Sequence, residues 1–208
     1  PALREQPELA AVWEPRIRTN SYDYRSINPA KKSGCLLGMG LTERQGGSDV
    51  RANSSTAVPA SEDGEGCYHL SGHKWFTSAP MCDAFLLLAN SPRGLSCFLV
   101  PRVLLDGTRN SVALMRLKDK LGNRSNASGE IEYSNAKGWI VGEEGRGVPT
   151  IIKMVNATRI DCTTWAVALM RQAVAQAGWH VANRSAFGRT LIDQPLMENV
   201  IADLEVEV

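Results

Sequence analysis

The sequence has few of the features that mark secreted, membrane-spanning or zinc-binding proteins. None of its apolar runs is long enough to cross a bilayer, and its first residues show no secretory pattern. It has three histidines and no Cys/His spacing typical of zinc sites, so we expect no metal. The net charge is only +1, from 23 basic and 22 acidic residues. This balance gives no overall field that would attract nucleic acid or an anionic membrane, and we expect no membrane partner.

The cysteines are few and odd in number, which argues against a disulfide framework. The chain has five of them, at Cys35, Cys67, Cys82, Cys97 and Cys162. Their scattered positions predict reduced thiols in a cytoplasmic protein. The sequence opens at Pro1 without Met and stops inside a helical pattern, so we expect a segment of a longer protein.

The chain changes character twice along its length. Residues 1–34 combine a short helical pattern with a polar, proline-containing connector. Residues 35–145 alternate short apolar runs with turn-forming breaks. Residues 146–208 repeat apolar positions at helical spacing, in one helix to about Asn183 and another that opens at Pro195. The sequence predicts an α+β fold, an antiparallel β-barrel or sandwich followed by long helices of an incomplete C-terminal helical bundle.

One glycine-rich segment has the composition of a ligand-binding loop. It covers residues 38–49 and reads GMGLTERQGGSD. Its glycines let the backbone approach a flat or phosphorylated ligand and donate N–H groups to it. Thr42 and Ser48 add short hydroxyl donors. The glycines alone would also suit a β-turn with a Ser-Asp cap.

A second segment combines aromatic rings with hydroxyls. It covers residues 72–78 and reads GHKWFTS. A positioned hydroxyl can stabilise charge that develops on a redox cofactor. By themselves, however, Trp75 and Phe76 would be ordinary strand aromatics of a barrel core.

Together these segments resemble the two flavin-holding segments of the acyl-CoA dehydrogenase family, Thr-Glu…Gly-Ser-Asp and Gly-x-Lys-x-aromatic-x-Ser/Thr. The resemblance implies bound FAD. It places Thr42 against the flavin ring and Ser48 against the pyrophosphate. It puts Phe76 where relatives stack an aromatic on the flavin, and Ser78 where a hydroxyl faces the N5 edge. The cofactor-binding residues that it implies in the two segments are Met39, Gly40, Leu41, Thr42, Gly47, Ser48, Phe76, Thr77 and Ser78.

The same resemblance implies three parts of the chain. Residues 1–34 would end an N-terminal helical domain, residues 35–145 would be the flavin-binding middle β domain, and residues 146–208 would start the C-terminal bundle. A further stretch, KDKLGNRSNAS at residues 118–128, resembles the family's Leu-Gly-x-Arg-x-Ser stretch. Arg124 in it could serve a charged ligand or lie in a solvated turn.

The helical part carries another match to the family, Arg-x-x-Phe-Gly…Leu…Gln over residues 184–194. It implies that Arg184, Phe187 and Gln194 bind FAD, with Arg184 reaching phosphate or ribose across a subunit interface. We therefore expect a homo-oligomer, a dimer of dimers. Without the resemblance, Arg184 is simply a helix-end arginine before a glycine stop.

The family resemblance gives substrate residues but no catalytic base. Most relatives carry the base, a glutamate, late in the bundle, beyond this chain. A minority carry it immediately before the arginine that matches Arg159, where this chain has Thr158. Relatives often have an acidic residue three positions before that arginine, and this chain has Asn156 there. Ser48, Asn156 and Arg159 are therefore the implied contacts to an acyl-CoA thioester, and the catalytic residue is unknown.

The residues of these motifs are similar to those of one branch of the family, the bacterial adaptive-response-to-alkylation (isovaleryl-CoA dehydrogenase-like) flavoproteins. Gln45 and Gly46, for example, stand where short-chain enzymes usually have Pro and Ala. The resemblance implies an FAD-dependent oxidoreductase that removes α and β hydrogens from an acyl-CoA. The alternative is a DNA-associated flavoprotein of the alkylation-damage response with weak or vestigial activity, binding duplex DNA through a region absent here. A β-barrel fragment without cofactor is a third interpretation.

Overall fold

The computed structural model describes residues 2–208, and its first unit is built around one closed sheet. The strands of this sheet are β1 (Leu37–Thr42), β2 (Thr56–Pro59), β3 (Cys67–Ser78), β4 (Ala84–Ser91), β5 (Gly94–Pro101), β6 (Val112–Leu117) and β7 (Ser128–Val141). Strand β1 pairs with both β3 and β4, and β7 pairs with both β3 and β5, so the ring β1–β4–β5–β7–β3 closes into a barrel. Strand β2 lies between β3 and β4, and β6 pairs with β7.

The predicted α+β fold is confirmed, with one correction to its sheet. Most strand pairs are antiparallel, as expected, but β4 runs parallel to β1, with Leu37 opposite Ala84, and to β2, with Thr56 opposite Asn90. The β1–β4 pairing is non-local, because the paired residues are 47 positions apart in the chain. A sequence pattern that records only alternation and turns does not contain it.

Two layers of apolar side chains cover β4 on both faces. Alternation along the strand sends Phe85 and Leu87 into the barrel and Leu86 and Leu88 outward. The outward layer is covered by Trp13 of the helix α1 (Pro7–Ile17) and by the start of the helix α2 (Gly147–Asn183). Burial on both faces explains why this strand is an unbroken apolar run in the sequence.

The second unit, Val155–Val208, is helical apart from one short hairpin. It contains the rest of α2, the strands β8 (Ser185–Ala186) and β9 (Arg189–Thr190), and the helix α3 (Pro195–Glu207). The predicted end of the long helix near Asn183 and the start of the next at Pro195 are confirmed. The first unit is Pro1–Met154. The division at 34/35 and 145/146 stays a prediction. Among the described residues, no helix combines the length and apolarity needed to cross a bilayer.

Candidate functional site

Strands β1 and β3 bring the two predicted flavin segments side by side. They pair antiparallel, with Gly40 opposite Thr77 and Thr42 opposite Phe76. Gly40 sits where the neighbouring chains come close, because a Cβ there would lie 2.7 Å from Leu87 Cδ2. Residues that are more than 30 positions apart in sequence therefore share one patch of the barrel wall.

A β-bulge in β3 decides which of its side chains reach the outer surface. On β7 the partners of Lys74 and Thr77 are only two residues apart, so β3 carries one extra residue between them. The bulge breaks the simple alternation: Lys74 and Thr77 are buried, whereas Trp75 is half-buried and Phe76 and Ser78 are exposed. Phe76 keeps 44% of its surface accessible, which leaves a ring available for stacking.

Thr77 is placed differently from its neighbours. Its side chain is fully buried, and its Oγ1 lies 3.0 Å from the position that a Cβ of Gly40 would take. Among the described residues this oxygen has no hydrogen-bond partner. Of the three predicted contacts in β3, only Phe76 and Ser78 can therefore offer a side chain to a ligand on the outer surface.

The loop after β1 folds back over Thr42. The N–H of Gly46, whose φ is +113°, donates to the carbonyl of Glu43 at 3.0 Å. Gly47 then passes so close to Thr42 that a Cβ would lie 2.7 Å from Thr42 Oγ1. Gly47 and Ser48 are exposed, and within the described part of the chain their N–H groups have no hydrogen-bond acceptor. Two consecutive unbonded amides suit a phosphate oxygen, so the loop fits the pyrophosphate role.

Glu43 anchors this loop from inside the protein. Its carboxylate accepts hydrogen bonds from the N–H and hydroxyl of Ser54 at 2.6 and 2.8 Å, and from those of Ser55 at 3.1 and 2.6 Å. It also accepts one from Lys74 Nζ at 2.7 Å, and Lys74 donates a second bond to the carbonyl of Leu88. Burial alone would raise the pKa of Glu43, but these hydrogen bonds outweigh it and lower the pKa to about 2.

The sequence alone suggested no role for Glu43 or Lys74, although Glu43 lies in the first motif and Lys74 in the second. Their side chains are 4% and 1% exposed. Charged residues are rarely buried unless they are paired, so two motif residues of opposite charge were an available signal. Burial lowers the pKa of Lys74 by penalising its charge, which the carboxylate of Glu43 partly offsets.

Three cationic side chains and one carboxylate surround the two aromatic rings of the bulge. We call this group the aromatic–cation cluster; it consists of Arg44, Trp75, Phe76, Arg116, Lys118 and Glu130. Lys118 Nζ lies 3.3 Å from the centre of the Trp75 ring and 4.7 Å from that of Phe76. The guanidinium carbons of Arg44 and Arg116 lie 5.7 and 5.5 Å from the Trp75 ring. Such distances are those of cation–π contacts. Sequence analysis did not identify this cluster, because it joins β3, β6, β7 and the loop after β1.

The predicted residues of the second unit fall into two groups. Arg159 donates to Asn156 Oδ1 at 3.4 Å on the exposed surface of α2. Arg184 and Phe187 are exposed, Phe187 standing at the tip of the β8–β9 hairpin with a φ of +53°. Gln194 donates to the carbonyl of Ala186 at 3.1 Å, which ties the hairpin to the start of α3.

A group of possible metal ligands lies at the other end of β3. Ligand atoms of Glu62, Asp63 and His69 lie within 4.8 Å of one another. Asp63 is already engaged there, at 2.5 Å from Lys137 Nζ and 2.6 Å from His69 Nε2. The expectation that the protein holds no metal stays a prediction.

Two family models match consecutive parts of the chain. The model of the acyl-CoA dehydrogenase middle domain matches residues 38–136, and that of the acyl-CoA dehydrogenase C-terminal domain matches residues 145–208. The first match contains all of β1 but its first residue, the loop after β1, and β3. The second contains α2, the hairpin and α3.

Individual relatives agree with these matches. AidB of Escherichia coli strain K12 is 48% identical over 206 residues, which are 99% of this chain and 38% of that protein. Acyl-CoA dehydrogenase family member 11 of Caenorhabditis elegans is 34% identical over 99% of this chain and 34% of its own length. The crystal structure of Caenorhabditis elegans ACDH-11 with C11-CoA matches with a TM-score of 0.84, at 31% identity, over 99% of this chain and 34% of that one. This chain thus spans well under half of these relatives, and it belongs to the acyl-CoA dehydrogenase family.

Proposed function

We propose that the protein is an FAD-dependent oxidoreductase of the acyl-CoA dehydrogenase type, acting on an acyl-CoA thioester. One observation carries the proposal: neighbouring strands present Thr42, Phe76 and Ser78 on one patch, beside the amides of Gly47 and Ser48, which have no acceptor among the described residues. An aromatic ring, hydroxyls and phosphate-binding amides are the groups that a flavin dinucleotide needs. Because the chain belongs to the acyl-CoA dehydrogenase family, we interpret this patch as the flavin site.

Each residue of the patch has a chemical role in the proposal. When bound, FAD supplies the acceptor for the hydride that leaves the β-carbon of the substrate. Phe76 provides the apolar surface that holds the flavin ring, and Ser78 donates a hydrogen bond at its N5 edge. Gly47 and Ser48 hold the pyrophosphate through their amides. Met39, Gly40 and Leu41 contact FAD through their backbone atoms.

Residues of the second unit complete the proposal. Arg184 contacts FAD from a neighbouring copy in a dimer of dimers, and Phe187 and Gln194 also bind FAD. Asn156 and Arg159 join Ser48 in binding the thioester. The ACDH-11 structure is a complex with C11-CoA, and this supports an acyl-CoA ligand for the present protein as well. We place the protein in the cytoplasm.

The catalytic base remains unassigned. Dehydrogenation needs a group that accepts the α-proton while the hydride leaves. Thr158 stands at one family position for this base, and its hydroxyl donates to the carbonyl of Val155 at 2.8 Å. A threonine hydroxyl with an ordinary hydrogen bond is no base at neutral pH, so we assign Thr158 no catalytic role.

The test is spectroscopic. The purified intact protein is titrated with FAD, and the bound flavin is then mixed anaerobically with straight and branched acyl-CoA thioesters. We expect tight uptake of FAD and loss of flavin absorbance with at least one thioester, as two electrons pass from the substrate to the flavin. A protein that takes up no FAD would refute the proposal.

A second candidate is a DNA-associated flavoprotein of the alkylation-damage response. The similarity of its motifs to the adaptive-response-to-alkylation branch favours this candidate, and Thr158 leaves only the later family position for a base. This candidate predicts FAD uptake without bleaching by any acyl-CoA, together with duplex DNA binding that weakens as salt rises. Bleaching without DNA binding would exclude it.

A further inference from the structure

Lys118 is the one cation of the aromatic–cation cluster that touches both rings of the bulge. Its Nζ lies 3.3 Å from the Trp75 ring centre and 4.7 Å from that of Phe76. Phe76 is the ring that the proposed function places against the flavin. A full positive charge therefore lies next to the group that would hold the cofactor.

Lys118 is fixed in this position at both ends. Its backbone N–H donates to the carbonyl of Ser128 at 2.8 Å, and Ser128 is the cross-strand partner of Ser78. Its Nζ donates to Glu130 Oε1 at 2.5 Å, and its side chain is only 9% exposed. A half-buried, doubly anchored ammonium is screened less by solvent than a mobile surface lysine.

The charge of Lys118 is not fully cancelled by its partner. Glu130 Oε1 also accepts from Arg116 Nε at 2.6 Å, so one carboxylate serves two cations. His73 lies near this carboxylate too, with Nε2 3.5 Å from Glu130 Oε2, while its Nδ1 bonds Glu132 at 2.8 Å. The pKa of Glu130 is lowered, by Lys118 first, so the carboxylate stays ionised at neutral pH. The cluster keeps a net positive charge beside Phe76.

We propose that Lys118 is a positioning residue that holds the Trp75–Phe76 pair and, through its charge, raises the reduction potential of the flavin bound there. The inference rests on the proposed function. Reduction adds two electrons to the flavin ring, and a nearby fixed cation stabilises the added negative charge. Glu130 has the opposite effect, because it partly neutralises the cations.

The experiment measures the two-electron midpoint potential of bound FAD by anaerobic titration with dithionite beside an indicator dye. Lys118→Met removes the charge and keeps an unbranched side chain over the rings. We expect the equilibrium constant for reduction to fall about tenfold, which is a potential lower by about 30 mV. Lys118→Arg retains the charge and should restore most of the potential.

Two further variants separate charge from structure. Glu130→Gln should shift the potential upward, opposite to Lys118→Met, because it removes a negative charge from the same cluster. A role limited to holding the rings would move both variants in the same direction. Lys120→Met is the matched control: Lys120 bonds Asn126 and Ser128 and contacts neither ring, so its potential should equal that of the wild type.

The outcomes distinguish a failure of the role proposed for Lys118 from a failure of the proposed function. If the wild-type protein binds FAD and Lys118→Met leaves the potential unchanged, Lys118 has no such role while the proposed function stands. If Glu130→Gln lowers the potential as Lys118→Met does, the charge argument is wrong. If the wild-type protein binds no FAD, the proposed function fails, and the inference fails with it.

Discussion

Glu43 and Lys74 form a buried ion pair, 2.7 Å from Oε1 to Nζ, that joins the end of β1 to β3 behind the candidate flavin patch. Each residue belongs to one of the two motifs, so the pair fixes the motifs to each other. Because neither charge reaches solvent, the loss of one partner leaves the other both buried and unpaired.

We expect Lys74→Met to lower the free energy of unfolding by about 3–5 kcal/mol, the usual cost of leaving a buried charge without its partner. The double variant Glu43→Gln with Lys74→Met should lose less than the sum of the two single variants. Urea unfolding followed by circular dichroism measures both. The control is Lys137→Met, whose ion pair with Asp63 is partly exposed and should therefore contribute far less to stability. Equal losses from the two lysine variants would contradict the burial argument.

The same carboxylate makes stability depend on pH. The pKa of Glu43 falls from its ordinary 4.5 to about 2 in the folded protein. Its contribution is therefore present above about pH 4.5 and is lost as the pH falls toward 2. From this shift we expect the wild type to lose on the order of 3 kcal/mol over that window relative to Glu43→Gln, which lacks the titrating group. Parallel pH profiles for the two proteins would show that Glu43 is not the group responsible.

The loop over Thr42 gives a prediction on cofactor binding. In Gly47→Ala the new Cβ would start 2.7 Å from Thr42 Oγ1, so the hydroxyl or the loop must move. We expect FAD affinity to fall about tenfold, the loss that accompanies one disturbed hydrogen-bonding group of about 1.4 kcal/mol. Fluorescence titration with FAD measures it. Gly122→Ala serves as control, because a Cβ at Gly122 would have no atom of the described residues within 4 Å. The assignment of the loop fails if both variants bind FAD like the wild type.

Ser78 and Thr77 should differ although they are neighbours with the same functional group. Ser78 is exposed, whereas the Thr77 hydroxyl is buried and has no hydrogen-bond partner among residues 2–208. Ser78→Ala should slow anaerobic reduction of the bound flavin by a thioester at least about tenfold, through loss of a hydrogen bond at the reacting edge. Thr77→Val should leave this rate unchanged and alter stability by less than about 1 kcal/mol. The reverse result would mean that the bulge is placed wrongly.

The thiols give a test that is independent of the cofactor. Four cysteines are buried and Cys162 is exposed. Burial raises the pKa of Cys97 to about 12 and those of Cys35 and Cys82 to about 11, which suppresses the reactive thiolate. A thiol reagent at pH 8 should therefore modify Cys162 in the native protein and the others only after denaturation. Mass spectrometry of the labelled peptides measures this, and rapid native labelling of Cys97 would contradict the barrel core.

The sequence by itself determined the element types and several boundaries. Apolar periodicity is a local property, so it located the β region before the long helix, the end of that helix at Asn183 and the start of the next helix at Pro195. The family of the flavin segments was also legible, because a motif is a string of neighbouring residues. That these residues bind FAD stays a prediction.

Only the tertiary structure decided which side chains face outward. Strict alternation from the buried Lys74 would have turned Phe76 inward and Thr77 outward, and the bulge reverses both. A bulge is defined by pairing with a partner strand, here one more than 50 residues away in the chain, so no local pattern contains it. Two other features also depend on non-local pairing. The Glu43–Lys74 pair needs β1 beside β3, and the placement of Lys118 over the two rings needs β6 and β3 on either side of β7.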